Sequence, residues 1–128
     1  MIYLSSADIL AVHDRIVEET GGVVGVRDAR LLQSIAERPK TSLGGAEQFP
    51  DIFTKAAVYL ESLATYHIFL DGNKRTALTV AGVFLALNGY QTTFPIAESE
   101  NFMLASAQRQ KTLEEIATWL KKRSRKKK

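Results

Sequence analysis

The stretch TALTVAGVFLALN, Thr76 to Asn88, is apolar on nearly every side. A surface helix keeps an apolar stripe and a polar face, so a segment without a polar face belongs at the centre of a helical domain. With its lead-in from Asn73 or Lys74 it predicts a helix, and Gly89 stops it. Upstream, Asp51 opens a second long helix to about His67, with Ile52, Phe53, Ala56, Tyr59, Leu60 and Leu63 at helical spacing. Farther out, Ala7 to Thr20 aligns Ile9, Val12, His13, Ile16 and Val17 on one side, with Ser5 or Ser6 as N-cap and Gly21-Gly22 as stop. Asp28 caps a short helix carrying Leu31, Leu32, Ile35 and Ala36, which Pro39 ends. Downstream, a helix is expected near Ser99 to Gln108, and Thr112 with Glu115 forms a capping box before Ile116, Trp119 and Leu120. The expectation is an all-α domain of about six helices around a central buried helix. Residues 40 to 50 (KTSLGGAEQFP) have no helical stripe and predict a short flap, either loop or hairpin.

The chain has 128 residues, enough for one domain and its core. Hydrophobic residues at 45% and charged residues at 24% exclude disorder and fibrous repeats. No apolar run is long enough for a bilayer, the best being Ala77 to Leu87, so no membrane partner is expected. With no cysteine there is neither a disulfide framework nor a thiolate metal site. The opening MIYLSSADIL lacks a basic start followed by a long apolar run, and the expected address is the cytoplasm. The net charge of +3 is uneven: Lys121 to Lys128 (KKRSRKKK) holds seven of the 17 basic residues, which leaves ten against 14 acidic ones in the body. The expected organisation is therefore a domain over residues 1–120 and a basic, disordered tail over 121–128. The sharper reading of that tail is contact with nucleic acid or the ribosome.

Between the two long helices lies the densest polar cluster, His67-Ile68-Phe69-Leu70-Asp71-Gly72-Asn73-Lys74-Arg75. A turn that feeds a helix N-terminus offers unpaired N–H groups and partial positive charge to an anion such as phosphate. Gly72 permits close backbone approach, Arg75 can fork onto phosphate oxygens, Lys74 adds a point charge, and Asn73 can donate an amide hydrogen while helping to cap the helix. Asp71 does not suit phosphate directly, but it suits magnesium, which takes one or two carboxylates together with phosphate oxygens. His67 is a residue type that can take a proton from an attacking hydroxyl. The plainer reading stays open beside this one: a turn that ends one helix and caps the next, with Lys74 and Arg75 solvated.

The sequence HIFLDGNKR resembles the Fic/Doc signature, and its Lys74 variant resembles the death-on-curing (Doc) branch. Upstream, GVRDARLLQSIAERP (Gly25 to Pro39) is similar to the stretch that precedes the flap in Doc-type toxins. The resemblance implies a Fic fold with His67 as catalytic base, Phe69 as the buried aromatic that anchors the loop, and Asp71 as the magnesium-binding acid. It implies Gly72 as backbone cradle and Asn73, Lys74 and Arg75 as nucleotide-phosphate contacts, with His67, Asp71 and Arg75 as the catalytic set. The cofactors it implies are ATP and Mg²⁺.

Two positions depart from AMP-transferring Fic enzymes, where Gly is usual at Lys74 and Pro at Ile68. The long cation at Lys74 fills space that glycine leaves open, which favours kinase chemistry. The resemblance therefore implies a toxin of a toxin–antitoxin system, a protein Ser/Thr kinase that transfers the γ-phosphate of ATP to a translation factor such as elongation factor Tu and halts protein synthesis. The alternatives are AMP transfer by the same residues, or a silent Fic-fold binding module. Many Fic proteins carry an inhibitory Ser/Thr-x-x-x-Glu helix; no Ser or Thr here has Glu four residues later, so the implied inhibitor is a Phd-like antitoxin in trans. The flap would align the target chain by backbone pairing. Asp28 is explained as an N-cap, His13 is read as structural, and Trp119 as packing the last helix.

Overall fold

A computed structural model describes all residues, Met1 to Lys128. Six helices follow in order: α1 (Ser6–Thr20), α2 (Ala29–Glu37), α3 (Ile52–Thr65), α4 (Asn73–Leu87), α5 (Ile96–Ala107) and α6 (Leu113–Lys122). A single 3₁₀ turn, Arg38–Lys40, contains Pro39 and ends α2. The predicted caps form: Ser5 and Asp8 close a capping box on α1, Thr112 and Glu115 close another on α6, and Asp28 and Asp51 cap α2 and α3. Helix α5 begins three residues earlier than expected, directly after Pro95, whose missing N–H suits a helix start.

The flap is a hairpin of β1 (Ser42–Leu43) and β2 (Ala46–Glu47), antiparallel in the register Ser42 to Glu47. Gly44 and Gly45 at the turn both have positive φ, 57° and 84°, as a primed hairpin turn demands. The flap is tied down through Lys55. This lysine sits inside α3 with no exposed surface, and its ammonium donates to Glu47 Oε1 at 2.9 Å and to the Pro39 carbonyl at 3.1 Å.

The centre of the domain is α3 rather than α4. Eleven of the 14 residues of α3 are buried, against six of 15 in α4. Ala56, Ala57 and Ala64 let neighbours close in from several sides, and α3 packs against α2, α4, α5 and α6. On α4 the outer apolar residues Leu78 and Val83 are half-buried and Leu87 is exposed, so the uniformly apolar pattern overstates its depth. Tyr59 crosses the core from α3, accepting from Leu4 N–H at 3.1 Å and donating to its carbonyl at 3.3 Å. Burial pushes its hydroxyl up to about 12.

The C-terminal residues depart from the expected disordered tail. Helix α6 continues past residue 120 to Lys122, and β4 (Ser124–Lys126) pairs antiparallel with β3 (Tyr90–Thr92). The pairing is held by backbone bonds from Thr93 N–H to Arg123 and from Lys127 N–H to Gly89, each 2.8 Å. One charge is also answered locally, since Arg123 and the Trp119 indole both donate to Glu98. Composition marks the segment as soluble and repulsive; the open backbone edge of β3 orders it. No helix is long and apolar enough to cross a membrane.

Candidate functional site

The loop from His67 to Gly72 is built against the segment that follows α1. Arg27 N–H donates to the Ile68 carbonyl at 2.7 Å, Leu70 N–H donates to the Gly25 carbonyl at 3.1 Å, and Val26 bridges Phe69. Two glycines make the approach feasible. A Cβ on Gly25 would stand 2.6 Å from Leu70 Cδ1, and one on Gly22 would stand 2.7 Å from Asp71 Oδ2. Any side chain at position 22 would thus occupy the space that one carboxylate oxygen of Asp71 faces.

Beneath the loop, Phe69 is buried and stacks on the buried ring of His13, centroids 3.7 Å apart and planes within 8°. His13 Nε2 lies 2.8 Å from the Asp71 carbonyl, so this nitrogen carries the hydrogen and the backbone oxygen accepts it. His13 Nδ1 faces Asp14 Oδ1 at 3.1 Å. The Asn73 side chain closes the same loop from the other side: Oδ1 accepts from Phe69 N–H at 3.1 Å, and Nδ2 donates to the Phe69 carbonyl at 3.0 Å.

That clamp revises the expectation for Asn73. The N-cap of α4 is Gly72, in the left-handed region at φ 75°, and no side chain caps the helix. The Asn73 amide is engaged at both ends, so the group it leaves unpaired is its backbone N–H. Those of Asn73, Lys74 and Arg75 have no acceptor within the chain, the first backbone bond into this end being Thr76 N–H to Gly72. Lys74 and Arg75 are exposed and enter no ion pair. Both line a cavity of about 490 Å³ between α4 and α5, with Leu78, Phe94 and Met103. Ser99 also lines it, and its hydroxyl is buried without a hydrogen-bond partner.

His67 is exposed, with φ 49°, a left-handed conformation rare for a residue other than glycine. Such strain is held in place by the surrounding structure and concentrates at functional sites. Asp71 is exposed as well; its Oδ1 accepts from Gly72 N–H at 2.9 Å. No hydrogen bond or ion pair joins the side chains of His67, Asp71 and Arg75 to one another. They lie on one loop and the helix start that follows it. Beyond His67, Tyr66 borders a wide polar depression of about 950 Å³ that also takes in Arg38 and Thr41 at the foot of the flap.

The site fits a nucleotide with magnesium on two observations. Three consecutive uncapped N–H groups flanked by two free cations suit phosphate, and a single exposed carboxylate facing glycine-cleared space matches the small protein share that Mg²⁺ takes in phosphate sites.

Residues 3–85 match the sequence profile described as the Fic/DOC family. The chain belongs to the Fic/DOC family. Over 120 residues it is 38% identical to the protein named Toxin Doc of Mycolicibacterium smegmatis, covering 92% of this chain and 90% of that one. Over 122 residues it is 32% identical to the Protein kinase doc of Escherichia phage P1, covering 95% of each. Within this Fic/DOC domain, the residue that sequence reasoning missed is His13. Its place on an apolar helical face explains its burial, but nothing in the spacing shows that it lies under the loop 58 residues away.

Proposed function

We propose that this protein is a toxin of the Doc type, a protein Ser/Thr kinase that uses ATP and Mg²⁺ in the cytoplasm and is restrained by a Phd-like antitoxin. Its similarity to a Toxin Doc and a Protein kinase doc over nine-tenths or more of their lengths supports the toxin and kinase reading. The observation that carries it is the start of α4, where three unpaired N–H groups and the free Lys74 and Arg75 side chains follow, six residues on, an exposed His67.

The chemistry follows from these residues. Backbone N–H groups of Asn73, Lys74 and Arg75 hold the transferring phosphate, and the Arg75 guanidinium and Lys74 ammonium offset the charge that develops on its oxygens. His67 accepts the proton of the target hydroxyl as the hydroxyl oxygen attacks the γ-phosphorus, and the bond from that phosphorus to the bridging oxygen breaks with ADP as leaving group. Asp71 would hold Mg²⁺, which supplies further charge neutralisation on the phosphate oxygens when bound. The nucleoside occupies the cavity of Leu78, Phe94 and Met103, where the Ser99 hydroxyl gains a partner. The target chain lies in the depression beside the flap, whose strand residues are exposed and open to backbone pairing. The target hydroxyl belongs to a translation factor such as elongation factor Tu, whose modification halts protein synthesis.

The test is transfer of label to bacterial lysate proteins from γ-labelled and from α-labelled ATP. Label from the γ position supports the kinase. Label from the α position assigns AMP transfer to the same residues. Labelling from neither, together with no rise in melting temperature on adding ATP and Mg²⁺, overturns the enzymatic reading and leaves a binding module.

A further inference from the structure

The end of α6 together with β4, which pairs with β3, carries the highest density of charge in the molecule. Seven of the eight residues from Lys121 to Lys128 are basic, while the body is net acidic. Strand residues rise about 3.4 Å each, so neighbouring cations lie well within a Debye length of about 8 Å and repel one another. A flexible tail relieves that repulsion by spreading. Here the backbone is pinned at both ends, by Thr93 to Arg123 and by Lys127 to Gly89, and the charges stay gathered.

Only two of the seven are answered within the chain. Arg123 pairs with Glu98, and Lys127 Nζ donates to the Ala86 carbonyl at 3.0 Å at the C-terminal end of α4. Lys121, Lys122, Arg125, Lys126 and Lys128 enter no ion pair. Beside them runs an open groove of about 510 Å³ whose polar and basic lining includes Gln91, Thr93, Lys122, Ser124 and Arg125, with no acidic side chain. An ordered concentration of uncompensated cations, with hydroxyls and a guanidinium along a groove, is a surface made for a chain of phosphates.

We propose that this basic C-terminal segment, ordered by β4 against β3, is a docking site for the phosphodiester backbone of structured RNA. The lining offers hydrogen-bond donors and no apolar anchor, which disfavours both a lipid surface and a hydrophobic protein partner. It also offers no free aromatic face: Trp119 is stacked between Phe94 and Phe102, at centroid distances of 5.5 and 4.2 Å. Without a stacking platform the surface reads backbone and shape rather than sequence, and it prefers paired RNA to single strands. The site lies at the opposite end of α4 from Asn73, about 20 Å along the helix, so bound RNA leaves the catalytic loop open. An enzyme held this way works beside RNA-rich assemblies, whatever group it transfers.

The experiment measures anisotropy of a fluorescein-labelled RNA hairpin against the full chain over a series of salt concentrations. The partner variant carries Arg125→Glu, Lys126→Glu and Lys128→Glu, which removes no side-chain hydrogen bond within the chain. Expected are binding that weakens steeply with salt, at least a tenfold loss in the variant, and a salt slope smaller by about one for each phosphate contact removed. Melting temperature and label transfer are expected to stay at wild-type values. If charge reversal lowers the melting temperature, the Arg125→Gln, Lys126→Gln, Lys128→Gln set is measured instead, and it too must bind RNA more weakly. Absence of RNA binding at low salt, equal binding by wild type and the folded variant, or tighter association with phosphatidylserine vesicles than with RNA overturns the proposal. Because wild-type label transfer is read separately, its loss would count against the kinase and leave the RNA site standing.

Discussion

Asn73 holds Phe69 by both of its backbone polar groups, accepting from the N–H and donating to the carbonyl across the turn that carries Asp71 and Gly72. The amide thus fixes how the loop enters α4. Asn73→Ala leaves two part-buried groups without partners and is expected to cost about 1–3 kcal/mol. Urea denaturation reads that loss, and label transfer is expected to fall further than stability does. An Asn73→Ala protein with wild-type transfer would assign the clamp to folding alone.

His13 supports the loop from below through its ring and through Nε2. His13→Ala removes both contacts and opens a cavity, an expected loss of about 2–4 kcal/mol. His13→Phe keeps a ring against Phe69 but orphans the Asp71 carbonyl. Its expected signature is a smaller loss of stability with a clear drop in kcat, measured by denaturation and single-turnover labelling of the same preparation.

His67 and Arg75 are exposed and have no partner within the chain, so their replacement is expected to leave the fold intact. His67→Ala should lower kcat about 10²- to 10⁴-fold, the usual share of a general base, with little change in nucleotide affinity. Arg75→Ala should weaken nucleotide binding as well. Calorimetric titration with ATP and Mg²⁺ separates the two, and equal affinity losses in both variants would contradict the assigned roles.

The C-terminal hairpin is expected to loosen in acid. The Arg123 guanidinium and then the Trp119 indole hold the Glu98 carboxyl below its ordinary 4.5. A lowered folded-state value contributes stability that is present above 4.5 and is lost as pH falls through the folded value. The protection factors of the Ser124 to Lys126 amides, which correct for the slower intrinsic exchange in acid, should therefore fall below that pH. Glu98→Gln should show the lower protection already at neutral pH.

Lys55 works in the opposite direction. Burial alone would lower its ammonium, but the hydrogen bond to Glu47 holds it above the ordinary 10.5. Its contribution is present below 10.5 and is lost as pH rises through the raised value. Glu47→Ala leaves the buried ammonium with the Pro39 carbonyl, at an expected cost of about 1–3 kcal/mol, between the exposed and buried limits for an ion pair. Protease sensitivity at Gly44 and Gly45 should rise in that variant as the flap comes free.

Helices are legible in the sequence because their signals are local: Ser5, Asp28, Asp51 and Thr112 each announce a start from within four residues. The motif residues, too, lie in one continuous run. What is not legible depends on partners far along the chain. No local signal marks Lys55 as buried, because what covers it is the flap folding over α3. Asn73 reads as a cap until Phe69 takes both ends of its amide. The basic C-terminal residues read as disordered because their order comes from the backbone edge of β3, more than thirty residues away, which no side-chain pattern records.

Trp119, the single tryptophan, is clamped between Phe94 and Phe102 and tied to Glu98, while the loop from His67 to Arg75 contains none. The molecule therefore carries a built-in fluorophore on its last helix, while the loop from His67 to Arg75 is itself free of tryptophan. Damage confined to the loop dims enzymatic output with emission unchanged, and undocking of the last helix shifts emission first. Comparing the two signals in one sample locates a lesion without a further label.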